Sequence, residues 1–342
     1  QADDHFNTVL YTGNATDTNI TGVGFQPDWV WVKNRSNAYH HALVDSSRGA
    51  TKVLKASDTS SEGTFSEQIT GFLADGFSVG DNSDSGNYVN INTHTYVAWN
   101  WKANGGTTTT NDASATGVGT IDSVIQANQT AGFSIVTYTG TGTAGTVAHG
   151  LGKALDAIFV YNRTDISEKP STFPNIIGAD KYLYIHATNA EDTYSGFFND
   201  TNPTTSVFSV GTDNRTNGSG DSFVAYCFAN IEGYSKIGSY TGNSSTDGTY
   251  IHLGFRASWI MFKVTNTTGN WNMYDAVRDP HNIVAQKLRA DGSNAEVTSS
   301  DDFDILSNGI KLRDGGAGLN SSSNTYIYMA FAEQPFKFSN AR

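Results

Sequence analysis

Two acid-base pairs in this chain have a spacing that can do chemistry: Asp45 with Arg48, and Asp275 with Arg278. An acid three residues before a guanidinium makes a local ion pair or caps a turn. Cleaving a glycosidic bond would need a second carboxylate at a set separation, and no such pair recurs. Asp301, Asp302 and Asp304, in SSDDFD, read as solvated loop charge. The eight histidines are scattered, and the neighbours His40 and His41 point apart on a strand, so zinc-type spacing is missing. The serines are numerous, but the Gly-x-Ser-x-Gly elbow that would present a nucleophile is not expected among them. Gly105-Gly106 lacks the strand before and helix after that a phosphate cradle requires. The expectation is a protein that is not an enzyme.

Three loops rich in Gly, Asp and Asn offer binding chemistry instead: 81–87 (DNSDSGN), 212–221 (TDNRTNGSGD) and 313–324 (RDGGAGLNSSSN). In the first, Asp81, Ser83, Asp84 and Asn87 supply closely spaced oxygen ligands of the kind Ca²⁺ takes, while a hairpin loop of turn formers has the same composition without metal. The loops differ in length, charge and glycine placement although similar strands follow them. Loops on a rigid scaffold are where binding groups are carried, so these three are the expected contact surface. Trp29 with Trp31, and Trp99 with Trp101, share a strand face and form either a platform for sugar rings or a wall of the core. Large apolar residues recur at the corresponding places along the chain, which favours the core.

The elements that position these residues come from a repeat. Tyr-Thr-Gly opens at Tyr11, Tyr138 and Tyr240, and an apolar string follows from Asp28, Asp156 and Ser258. A second string begins 85, 85 and 86 residues after each tyrosine, at Tyr96, Phe223 and Tyr326. Anchors that hold register over this distance argue for duplication of a unit large enough to enclose its own core. The expected organisation is module one at 1–103, a linker at 104–130, module two at 131–230 and module three at 231–342. Runs of four to seven residues rich in Val, Ile, Trp, Tyr and Phe, bounded by turn formers, predict an all-β fold of three tandem β-sandwich or jelly-roll-like modules. Short helices are expected only near 46–55 and 283–290. In the second module LYIHATNA, with His186, stands where the others carry LVDSSRGA and MYDAVRDP.

Composition narrows the function. With 21 Lys and Arg against a net charge of -12, and no basic run, nucleic acid is not an expected partner. No stretch is apolar enough to cross a bilayer as a helix, so membrane insertion is not expected. Cys227, inside FVAYCFA, reads as a buried, unreactive thiol. A chain that starts at Gln1 is expected to be a processed protein or part of a longer polypeptide.

The strings GFQPDWVWVKNR, LVDSSRGATKVL, DGFSVG with TYVAWNWKA, and TYIYMAFAEQPFK ending in SNAR resemble uncharacterised repeat proteins of marine tailed phages, labelled tail-fibre-like or head-fibre-like. The resemblance runs over essentially the whole chain. It implies a virion structural protein, displayed on the particle as a fibre, spike or decoration and serving host-surface attachment. Implied partners are other virion proteins, a host-surface glycan and further copies of the chain in a homo-oligomer, a trimer. The alternatives are an array of carbohydrate-binding modules and, ranked last, a polysaccharide depolymerase.

Overall fold

The computed structural model describes residues 2–84, 89–316 and 318–333, with the side chains of 299–301 left out. The chain is mostly β, 43% strand and 6% helix, in several sheets and a nearly closed barrel.

The apolar strings become central strands. Opening strands Phe6–Thr12, Phe133–Thr139 and Ser235–Thr241 pair antiparallel with closing strands Thr95–Trp101, Ser222–Phe228 and Thr325–Ala332. All three pairs keep one register, with Tyr11 opposite Tyr96, Tyr138 opposite Phe223 and Tyr240 opposite Tyr326. These cross-strand rings stack at 4.9, 5.1 and 5.0 Å between centroids. Each opening tyrosine donates its hydroxyl to a backbone carbonyl ahead of the closing strand, of Val89, Thr216 and Leu319, at 2.7 Å. The next glycine is required because a Cβ on Gly13, Gly140 or Gly242 would lie 2.2 Å from the carbonyl oxygen of Ile91, Gly218 or Ser321. The other edge of each closing strand takes Trp29–Asn34, Ala157–Asn162 and Ala257–Val264.

These strands are buried on both faces, which is why they read as continuous apolar runs. In the first segment Val30, Val32, Ala98 and Tyr96 pack against Ile20, Phe77 and Val79 from a second small sheet. In the second, Val160, Ala225 and Cys227 pack in the same way with Val147, Phe208 and Val210. The opposite faces meet in one shared aromatic core, where Trp29, Trp99, Trp101, Phe133, Tyr226, Phe228, Trp259 and Phe331 all lie. Trp29 stacks on Tyr226 at 4.2 Å, and Trp101 meets Trp259 and Phe331 at 5.7 Å.

Three local expectations change. Residues 104–130, expected as a linker, carry strands Thr109–Asn111 and Ser123–Asn128, which extend the edge of the second segment's sheet. The same stretch is tied back to the first segment, because Asp28 accepts the amides of Ala103, Gly105 and Gly106 and Gln126 donates to Ser46 and Ser47. The helices expected near 46–55 and 283–290 are turns leading into strand Lys52–Val53, and strand Val284–Arg289. Ladders on both edges of Val284–Arg289 override its helix-forming residues. Finally, LYIHATNA does not occupy the place of LVDSSRGA. Leu183 bridges Ser171 as Leu54 bridges Leu43 and Leu288 bridges Met273, so the counterpart of Asp45 and Asp275 is Phe173.

Candidate functional site

The Asp-x-x-Arg pairs anchor the most elaborate polar arrangement among the described residues, and it lies between segments. Asp45 ends strand Ala42–Asp45, and the turn after it brings Arg48 back over the strand. Neither side chain has exposed surface. Arg48 donates Nε to Asp45, Nη1 to Glu62 at 2.9 Å and Nη2 to the Leu43 carbonyl at 3.0 Å. From the second segment, the Tyr226 hydroxyl donates to Asp45 Oδ2 at 2.7 Å and accepts from Arg48 at 3.1 Å, while Arg163 donates to both oxygens of Glu62.

The third segment repeats the plan against the first. Arg278 donates to Asp275 and, at 2.8 Å, to Glu296; Trp99 donates its indole N–H to Asp275 Oδ2 at 3.0 Å; Arg35 clasps Glu296 with Nε and Nη2. Burial alone would lower the pKa of Arg48 and Arg278, but the neighbouring carboxylates outweigh it and both are raised. Burial pushes Glu62 and Glu296 up, yet the two arginines at each hold them below the usual carboxylate range. These are compensated charges, with the two Asp-Arg pairs closed to solvent and the surrounding Glu and Arg only partly exposed, the arrangement that fixes geometry rather than meets a substrate.

At the junction of the second and third segments the position of Asp45 and Asp275 is apolar: Phe173 stacks on Trp271 at 6.0 Å, and Trp271 donates its N–H to the Tyr184 carbonyl. Backbone bonds complete the ring of contacts: Glu62 N–H to Arg163, Glu191 N–H to Thr265 and Glu296 N–H to Arg35. A buried ammonium accompanies each junction. Lys33 reaches the Ser293 carbonyl, Lys263 that of Thr188 and Lys169 that of Ser60, at 3.0–3.2 Å. Every segment therefore grips both of the others.

The residues expected to hold Ca²⁺ are drawn into loop structure. Asp81 accepts the Ser83 amide at 2.9 Å, and Asp84 accepts the Glu67 amide at 2.7 Å and the Ser66 hydroxyl. Asn87 lies outside the described residues. Among the described residues no three His, Cys, Asp or Glu side chains gather as a metal site. Asp302 accepts from Tyr274, and Asp304 pairs with Arg313. His41, buried, accepts from the Trp31 indole at 2.7 Å and bonds the Arg289 carbonyl through its other nitrogen. Burial raises the Cys227 thiol far above its usual pKa.

Sequence reasoning passed over two features. A Gly-x-Ser-x-Gly string does occur, at 76–80, but Ser78 lies inside strand Gly76–Val79 and bonds Thr70 and the Gly71 carbonyl. A nucleophile elbow needs a sharp turn from strand to helix, which this is not. The second is a buried asparagine six residues before each closing aromatic: Asn90, Asn217 and Asn320. Each accepts the amide of Asn14, Thr141 or Asn243 and donates to carbonyls, pinning the loop after Tyr-Thr-Gly to the loop before the closing strand. The repeat register was enough to expose it.

A family model described as Domain of unknown function (DUF7483) matches residues 1–335. The chain belongs to that family. The match runs through all three segments and the whole ring of contacts between them. No curated protein matches the chain.

Proposed function

We propose that this member of the DUF7483 family is a non-catalytic structural protein of a bacteriophage particle, a fibre, spike or surface decoration. In this reading its three tandem β-sandwich-like modules close on one another into a rigid unit that serves attachment to the host surface. Its partners are other virion proteins, a host-surface glycan and further copies of the chain in a trimer. The observation that carries the reading is the use of Asp45, Arg48, Asp275 and Arg278, the residues best suited to chemistry, to lock segments together out of contact with solvent. Satisfied buried networks favour one arrangement of the segments, which suits a building block that keeps its shape outside a cell. The test is antibody-gold labelling of intact phage particles with serum raised against the full chain. Regular labelling at one location on the particle is expected. Purified particles that neither label nor contain the chain by mass spectrometry would overturn the proposal.

A further inference from the structure

An open cleft of about 490 Å³ lies on the second segment, beside the point where the Ser167 amide bonds the Thr59 carbonyl of the first. Its volume falls in the ~300–1,000 Å³ range of small-molecule sites. Part of its wall is the 212–221 loop, through Asp213 and Arg215, and the rest includes Asp165, Ser167, Glu168 and Tyr194. Tyr194 keeps 45% of its surface exposed, a rarity for a large ring among the described residues. Its position is nonetheless set. Phe197 meets it edge-on at 4.8 Å, the Arg215 guanidinium sits 5.9 Å from its centroid, and it lies against Gly196, where a Cβ would come within 2.5 Å of the ring. Arg215 is equally fixed, donating Nε and Nη2 to the two Asp213 oxygens at 2.7 and 2.9 Å and Nη1 to Tyr184 at 3.1 Å. The Ser167 hydroxyl, also in the wall, is buried and has no hydrogen-bond partner.

We propose that this cleft binds a neutral pyranose sugar, with the Tyr194 ring against a C–H face and Glu168, Ser167 and Arg215 bonding ring hydroxyls. The chemistry selects that class. A fixed, half-exposed ring offers apolar surface at little entropic cost, and charged donors and acceptors side by side match hydroxyls, which both donate and accept. Asp165, Glu168 and Asp213 outnumber the one guanidinium, so the local field opposes phosphate, sulfate and acidic sugars. A second open cleft, of about 550 Å³ beside Asp17, Glu67 and Ser78, has no ring in its wall and lacks such a platform.

The proposal rests on this cleft and not on the particle reading, which labelling decides separately. The test is saturation-transfer NMR and titration of the full chain with glucose, galactose, mannose and N-acetylglucosamine. Saturable binding of at least one is expected, with a dissociation constant of about 1–10 mM. Tyr194→Ala is expected to weaken it ~10-fold or more, whereas Tyr194→Phe retains the ring and stays within about twofold. Tyr250→Ala, at an exposed tyrosine of the third segment, serves as the control and leaves binding unchanged. Near-UV circular dichroism checks that each variant is folded. Binding by none of the four sugars, or undiminished binding by folded Tyr194→Ala, overturns the proposal. So does tighter binding of N-acetylneuraminic acid, inorganic phosphate or Ca²⁺ at the same residues.

Discussion

Replacing Tyr226 with Phe removes one oxygen that touches both members of the buried Asp45–Arg48 pair, at 2.7 and 3.1 Å. Hydrogen bonds to charged groups contribute about 1.5–3 kcal/mol each, and two sharing one hydroxyl give an expected loss of about 2–4 kcal/mol. Asp45→Asn leaves Arg48 without its nearest counter-charge in a site with no exposed surface, an expected loss of about 3–5 kcal/mol. Once Asp45 is neutral the hydroxyl faces an amide, and its bond falls to about 0.5–1.5 kcal/mol. The double variant should therefore be less destabilised than the sum of the singles, by about 1–2 kcal/mol. Urea unfolding read by the fluorescence of the six tryptophans measures all four proteins. One common transition is expected, because Tyr226 and Asp45 lie 181 residues apart and join two segments. Additivity within about 0.5 kcal/mol, or separate transitions for the segments, would refute the interlock.

Trp99→Phe should destabilise the protein more than Trp101→Phe by about 1.5–3 kcal/mol, since the Trp99 indole donates to Asp275 whereas that of Trp101 is buried without a partner. Equal losses in the same urea assay would argue that the bond to Asp275 contributes nothing. Gly140→Ala forces a methyl to within 2.2 Å of the Gly218 carbonyl oxygen, and the loss should well exceed ~1 kcal/mol. An unchanged thermal midpoint would contradict the close approach. Burial lowers the pKa of Lys33 to about 7 and of Lys169 and Lys263 to about 8. An unfolded lysine keeps its proton to about pH 10.4, so between these values the unfolded chain holds more protons and stability rises with pH. Below pH 7 the full cost of burying charge is present. The buried Cys227 thiol and the buried tyrosines act in the opposite sense, but the thiol is one group against three and unfolded tyrosines ionise only around pH 10, above the range tested. Chemical denaturation at pH 7, 8 and 9 should show the rise, and Lys33→Met should flatten it; a fall with pH, or an unaltered slope in that variant, would remove the lysines as its cause.

The sequence by itself determined where the central strands lie. Apolar strings at Trp29, Ala157 and Ala257 became strands because six to eight consecutive buried residues, most of them apolar, can be sheltered only by a sheet covered on both faces. The spacing that placed Tyr96, Phe223 and Tyr326 alike matches their common register in the fold, and it was enough to mark the buried asparagines six residues earlier, which the sequence reading passed over. The local pairing of Asp45 with Arg48 was legible for the same reason, since three residues of chain bring the groups within reach in a turn.

Only the tertiary structure decided what lies on the far side of each element. Nothing near Asp45 names Tyr226, and nothing near Asp275 names Trp99, because hydrogen bonds across a core depend on which faces are brought together and not on chain separation. The same cause turned 104–130 from a linker into edge strands and Val284–Arg289 from a helix into a strand: an available sheet edge supplies ladder bonds that local composition does not reveal. It also moved the counterpart of Asp45 in the second segment to Phe173, where a strand-to-strand bridge, rather than similarity of letters, defines the equivalent position. Even the cleft at Tyr194 is a product of assembly, since Glu168 and Arg215 stand 47 residues apart in the chain and 3.4 Å apart in the fold.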